Sequence, residues 1–228
     1  MIPFKDDNPT RLVPFVTIAL LLLNVAVFVR LLLLPPEGQQ AWVLRLAIVP
    51  YDLTHLPLGR PDRWPLHLVP LLTAMFVHAG WLHLLGNMLY LWIFGNNVED
   101  VMGHGRFVVF YFLCGLLAAG LQVLMRPESR VPMIGASGAI AGVLGAYLIS
   151  YPGARIASLV PILFIFTIVD VPAVIFLIFW FVSQLYSGLF AIQGGSASGI
   201  AWWAHIGGFI FGLIMVSFFG RRTVYQRY

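Results

Sequence analysis

Four polar side chains interrupt otherwise apolar stretches of this sequence and could meet in one place. Ser137 lies in Gly-Ala-Ser-Gly, Gly135 to Gly138, at the head of a run with no charge from Val131 to Ala154. His205 lies within GIAWWAHIGGFIFGL. His83 and Asn87 are four residues apart, on one face if that stretch is helical. A serine hydroxyl within hydrogen-bond reach of an imidazole is the pairing that nucleophilic catalysis needs, because the ring takes the proton that makes serine a poor nucleophile. Imidazole suits this because its ordinary pKa, about 6.5, lies near working pH. Attack on a carbonyl builds an oxyanion, which needs preorganised donors in a site of low dielectric. The Asn87 amide, a His83 N–H and the Ser137 backbone N–H at a helix N-terminus would supply three.

Each residue also has a plain explanation. Ser137 could be a small packing residue bonded back to a helix carbonyl. His205 could be a satisfied interior histidine, and His83 and Asn87 could join helices. His78, at the head of the same helix, reads as structural. His55, His67 and His104 read as loop residues, and Glu99 and Asp100 as turn and helix-end groups. Asp170 tempts as a third catalytic member, yet it begins the fifth helix a full span away from Ser137, as an interfacial anchor. The chemical reading gains weight from the combination and from the elements that carry it.

Those elements are set by composition. Of 228 residues 60% are hydrophobic and 10% charged, where a soluble domain carries roughly 25% charged residues. So much apolar side chain must be solvated by lipid. A span needs about 20 apolar residues, and six stretches qualify as helices: about 12–34, 80–97, 106–125, 136–151, 172–192 and 200–219. We expect a single all-α membrane domain over residues 1–228. The apolar segment 156–169, broken by Pro161, reads as an interfacial piece or an early extension of the fifth helix. Residues 35–67 read as a long connection with little periodicity. The start, MIPFKDDNPTR, lacks a signal-peptide cleavage pattern. The lone Cys114 excludes an internal disulfide and any cysteine metal cluster. The net charge of +4 is spread over loops and ends, which fits contact with lipid headgroups and gives no nucleic-acid footprint.

Six spans put both termini on one side. That face collects Lys5, Arg11, Arg106, Arg155, Arg221, Arg222 and Arg227, and the other Arg30, Arg45, Arg60, Arg63, Arg126 and Arg130. The small excess leans toward cytoplasmic termini. Helices four and six enter from the same side. Ser137 opens the fourth, and His205 falls about one and a half turns into the sixth, so the loop before Ser137 has to dip into the membrane. Small residues prepare close approach: Ala204, Gly208 and Gly212 recur every four residues in one helix, and Ser137, Ala141 and Gly145, beside Gly138 and Gly142, in the other. Besides these, Asp170, Ser183 and Gln184 are the polar residues of the fifth helix.

Four motifs in order resemble the rhomboid intramembrane serine proteases, from about Leu68 to Gly220. They are HAGWLHLLGN from His78 to Asn87, GNNVEDVMG from Gly95 to Gly103, GASG from Gly135 to Gly138, and AHIGGFIFG from Ala204 to Gly212. The resemblance implies a six-helix bundle in which Ser137 is the nucleophile and His205 the general base and acid. It implies an oxyanion site of His83, Asn87 and the Ser137 amide, and no metal or cofactor. It implies cleavage of membrane-protein substrates at helix-weakening transmembrane segments, with the fifth helix and the loop at about 193–199 as the gate. A bacterial inner membrane is the expected location. Two departures stand out. HLVPLL replaces a Trp-Arg pair common in the family before the second helix, and Ala141 takes a position, four after the serine, where many members carry an aromatic ring that stacks on the histidine. Something other than residue 141 must therefore orient His205.

Two other functions compete. A non-catalytic relative of the same fold would bind and escort membrane clients, but such relatives typically lack the serine or the histidine. A transporter would relay ions through Asn and His, but no acidic residue lies mid-span and no repeat is visible.

Overall fold

Every apolar stretch marked above folds as a helix except one. The computed structural model describes residues 1–57, 60–162, 165–192 and 199–220. Helix α1 is Phe15–Leu32. Helix α6, Trp81–Tyr90, continues through a π-turn at Leu91–Gly95 into α7, Asn96–Met102. Then come α8, His104–Met125; α9, Ser137–Ser150; α10, Ala173–Ile192; and α11, Trp202–Phe219. Among the described residues α1, α8, α10 and α11 are long and apolar enough to span a bilayer. The pair Trp64–Phe76 and Trp81–Met102, bent by 75°, makes a fifth span if taken as one. Helix α9 has 14 residues, a rise of about 21 Å, short of the roughly 30 Å hydrocarbon layer. By length, then, four or five helices stand where six spans were expected.

Three expectations are corrected. Residues 156–169 are not an extension of the fifth helix: β2, Arg155–Ile162, and β3, Ile165–Pro172, form an antiparallel hairpin. The N-terminal strand β1, Ile2–Asp6, pairs with β2, so a mainly helical molecule carries a small three-stranded sheet. Asp170 accordingly lies in β3, opposite Ala157, rather than at a helix start. The connection 35–67 is also not irregular: it holds α2, Pro36–Leu46, and α3, Pro50–Thr54, and runs into α4, Trp64–Leu68, followed by α5, Pro70–Thr73. The prolines that look like breakers sit in the first turns of these helices, where a missing N–H leaves no bond unmade.

The core wraps α9, which is buried along most of its length. Helices α9 and α11 approach so closely that a Cβ on Gly208 would run into the Gly138 carbonyl, and one on Gly212 into the Gly142 carbonyl. Gly138 itself faces Ala118 and Ala204, and Gly142 faces Cys114. In lipid, where burial between helices gains no hydrophobic energy, such backbone proximity is what dispersion forces require.

The two ends of the bundle differ. At the sheet end Glu99, wholly buried, accepts from Val16 N and Thr17 N at the start of α1, from Thr17 Oγ1, and from His104 Nδ1 at the start of α8. Asp100 receives Leu12 N. Glu99, near the end of α7, and His104, which opens α8 rather than lying in a loop, therefore clamp two helix starts together. Beside them Asp6 Oδ2 accepts from Asn8, Asn97 and Tyr147. The opposite end holds the termini of α1 and α8 and the loop that leads into α9.

Candidate active site

At that opposite end α9 and α11 both begin. Ser137 is the first residue of α9, and His205 lies in the first turn of α11, earlier than the one and a half turns expected. Their side chains meet with His205 Nε2 2.8 Å from Ser137 Oγ. The loop before Ser137 is pinned by two main-chain links. Met133 and Ile48 form a β-bridge, and Gly135 N donates to the Ala74 carbonyl at 2.8 Å.

Gly135 adopts φ +113°, a conformation L side chains rarely enter. A Cβ there would stand 2.6 Å from His83 Nε2 and 3.6 Å from Asn87 Nδ2. Both side chains therefore converge on the chain two residues before Ser137. His83 Nδ1 accepts a long bond, 3.4 Å, from Ala79 N. That assignment leaves the ring proton on Nε2, facing the serine loop. Asn87 is buried, and its Nδ2 has no hydrogen-bond partner. An unpartnered buried donor costs about 1–3 kcal/mol, and this one belongs to a residue that lines the cavity. The Ser137 N–H, at the first position of a helix, is one of the donors that a helix leaves free, and the helix dipole favours negative charge there.

Ser137, His205, His83 and Asn87 line one cavity of about 780 Å³, together with Tyr90, Ile140, Trp180, Gln184 and the 131–134 loop. No charged side chain lines it among the described residues. His78 is buried behind His83, the two rings edge-on at 4.9 Å, and it does not line the cavity. Among the described residues no group of three or more His, Cys, Asp or Glu side chains is placed to hold a metal ion. The loop at 193–198, expected to act with α10 as a gate, lies outside the described residues.

Three groups orient His205 where residue 141 cannot. Gln184 Oε1 on α10 lies 2.8 Å from His205 Nδ1. The Trp180 indole tilts against the ring at 6.1 Å, and Trp202 meets it edge-on at 6.0 Å. A fourth residue places the helix: Gln122 Oε1 on α8, buried, accepts from Trp203 N and Ala204 N and so caps α11. In the sequence Gln184 and Gln122 carry the same signal, an amide in an apolar helix, and neither has a role until its neighbours are known. Ala204 follows in the first turn of α11 and packs with Ala118 and Met133.

The fold and the site together define an integral, multi-pass membrane protein whose bundle encloses a polar cavity with a serine and a histidine in hydrogen-bond contact. Comparison with known proteins agrees. The Rhomboid domain family profile matches residues 65–222, and the chain belongs to the rhomboid family. Among its relatives, Rhomboid protease GluP of Bacillus subtilis (strain 168) is 42% identical over 78 residues, 34% of this chain and 15% of that protein. RHOMBOID-like protein 6, mitochondrial, of Arabidopsis thaliana is 40% identical over 78 residues, 34% of this chain and 25% of the relative. Presenilin-associated rhomboid-like protein, mitochondrial, of Homo sapiens is 30% identical over 100 residues, 43% and 26%. The matched stretches cover only about a quarter or less of these longer relatives.

Proposed function

We propose that the chain is an intramembrane serine endopeptidase acting on transmembrane segments of other membrane proteins. The observation that carries this is the 2.8 Å contact between Ser137 Oγ and His205 Nε2 inside a cavity that also receives an unpartnered amide donor. Ser137 Oγ attacks the scissile carbonyl carbon while His205 Nε2 takes the hydroxyl proton. The carbonyl oxygen becomes an oxyanion and accepts from Asn87 Nδ2, His83 Nε2–H and the Ser137 N–H. When the tetrahedral intermediate collapses, the C–N bond breaks and His205 returns the proton to the leaving amine. Water then attacks the acyl-enzyme carbonyl, giving a proton to His205, and as that intermediate collapses His205 returns the proton to Ser137 Oγ and the carboxylic acid product leaves.

Substrates with helix-weakening sequence fit this site, because a peptide bond inside a regular helix is shielded by its own turn. Residues 1–228 act as one membrane domain, and a bacterial inner membrane with cytoplasmic termini suits the charge distribution. The test is labelling of the detergent-solubilised protein with a fluorophosphonate. Wild type is expected to react, and Ser137→Ala and His205→Ala to remain unlabelled. Unlabelled wild type that also fails to cut a helix-destabilised test span in liposomes would overturn the enzyme and favour a client-escort role.

A further inference from the structure

The amide of Gln184 is fixed at both ends. Its Nε2 donates to the Trp180 carbonyl at 3.2 Å and to Ser183 Oγ at 2.9 Å, while Ser183 Oγ donates to the same carbonyl at 2.6 Å. A backbone carbonyl only accepts, so the amide nitrogen belongs on that side and Oε1 must face His205. An amide oxygen also only accepts. His205 Nδ1, 2.8 Å away, therefore carries the ring proton, and Nε2 of the neutral ring is left with its lone pair. Nε2 is the atom at Ser137 Oγ, so the hydroxyl donates to it, the direction of transfer a general base requires.

Gln184 sits on α10, whereas Ser137 and His205 sit on α9 and α11. Helix α10 lies against α11 through Phe181 stacked on Phe209 at 4.8 Å and Trp180 beside Phe209 at 5.9 Å. Resting on the serine-peptidase reading above, we propose that Gln184 is a positioning residue: it sets the productive tautomer of His205, so that the base is competent only while α10 is docked on α11. A carboxylate-free dyad is thereby completed by a neutral third member on a different helix.

The groups facing His205 are Ser137 from α9, Gln184 and Trp180 from α10, Trp202 from its own helix and, across the cavity, His83 from α6. None carries a fixed charge, so a carboxylate placed at residue 184 would be the dominant electrostatic change. The experiment measures kcat and KM for cleavage of one transmembrane test substrate in liposomes, from pH 5 to pH 9, for wild type, Gln184→Met and Gln184→Glu. Methionine keeps the volume and removes the acceptor; we expect kcat to fall about 10–100-fold with KM unchanged. Glutamate keeps an acceptor at Nδ1; we expect kcat to recover to within a few-fold of wild type. We also expect the acidic limb of kcat/KM to move to higher pH by about one unit, because a neighbouring carboxylate favours imidazolium. An active wild type whose Gln184→Glu profile keeps the acidic limb in place overturns the proposal, even if Gln184→Met proves unstable. Inert wild type overturns the protease reading instead, so the two failures are distinguishable.

Discussion

Two polar clusters, at opposite ends of the bundle, are built on opposite principles. At the sheet end the carboxylates are saturated, although Asn97 Oδ1 beside them has no partner in the protein. Glu99 takes four donors from two helix starts, and a single oxygen of Asp6 takes three. At the cavity end Asn87 Nδ2 is buried without a protein partner, and a Cβ on Gly135 would meet His83 Nε2. A satisfied buried cluster fixes geometry, because removing any member strands the others. An unsatisfied one facing a cavity is a receptor. Polar residues inside an apolar chain thus divide by what their hydrogen bonds leave open.

The contrast is sharpest if each end is damaged separately. Glu99→Ala strands two main-chain N–H groups and the Thr17 hydroxyl, each an unmade bond worth about 1–3 kcal/mol. We expect about 3–5 kcal/mol of lost stability, read as a lower midpoint of thermal unfolding in detergent, with turnover per folded molecule intact. Asn87→Ala should do the reverse. Its Nδ2 supports no contact in the resting molecule, so the midpoint should hold while kcat falls about 10²–10³-fold. A large drop in midpoint for Asn87→Ala with near-normal kcat would make Asn87 a helix-joining residue and abolish the distinction between the two ends.

Much of the cavity end was legible in sequence, because lipid removes most innocent reasons for a polar side chain. Ser137, His205, His83 and Asn87 stood out for that reason, and the structure brings all four to one cavity. The glycine rows were legible as well, since only small residues let two backbones nearly touch. The orienting residues were not. An amide both donates and accepts, so Gln184 and Gln122 reveal nothing until their neighbours are known. The sheet end was obscure for other reasons. Residues 155–172 are apolar and rich in β-branched side chains, a pattern too short to separate strand from buried helix. Strand β1 has no periodicity of its own and forms only because β2 offers it an edge. In residues 35–67 prolines that start helices look the same as prolines that end them.

The smallest expected effect tests whether the sheet end needs charge or only acceptors. Burial pushes the Asp6 carboxyl above its ordinary value of 3.8, and the adjacent Asp7 adds to this, against the opposing pull of bonds from Tyr147 and Asn8. A carboxyl whose pKa is higher folded than unfolded binds its proton more tightly in the folded state. Its contribution is fully present below the unfolded value and is lost as pH rises through the folded one. At neutral pH the ionised group therefore costs stability even while it organises three donors. Asparagine at this position keeps an oxygen for Tyr147 and Asn97 and carries no charge. Asp6→Asn should match or slightly exceed wild type in thermal midpoint at pH 7, and the advantage should shrink toward pH 4, where wild type takes up its proton. An Asp6→Asn protein less stable than wild type at pH 7, with the gap closing in acid, would mean that the carboxylate charge itself holds β1 to α7 and α9.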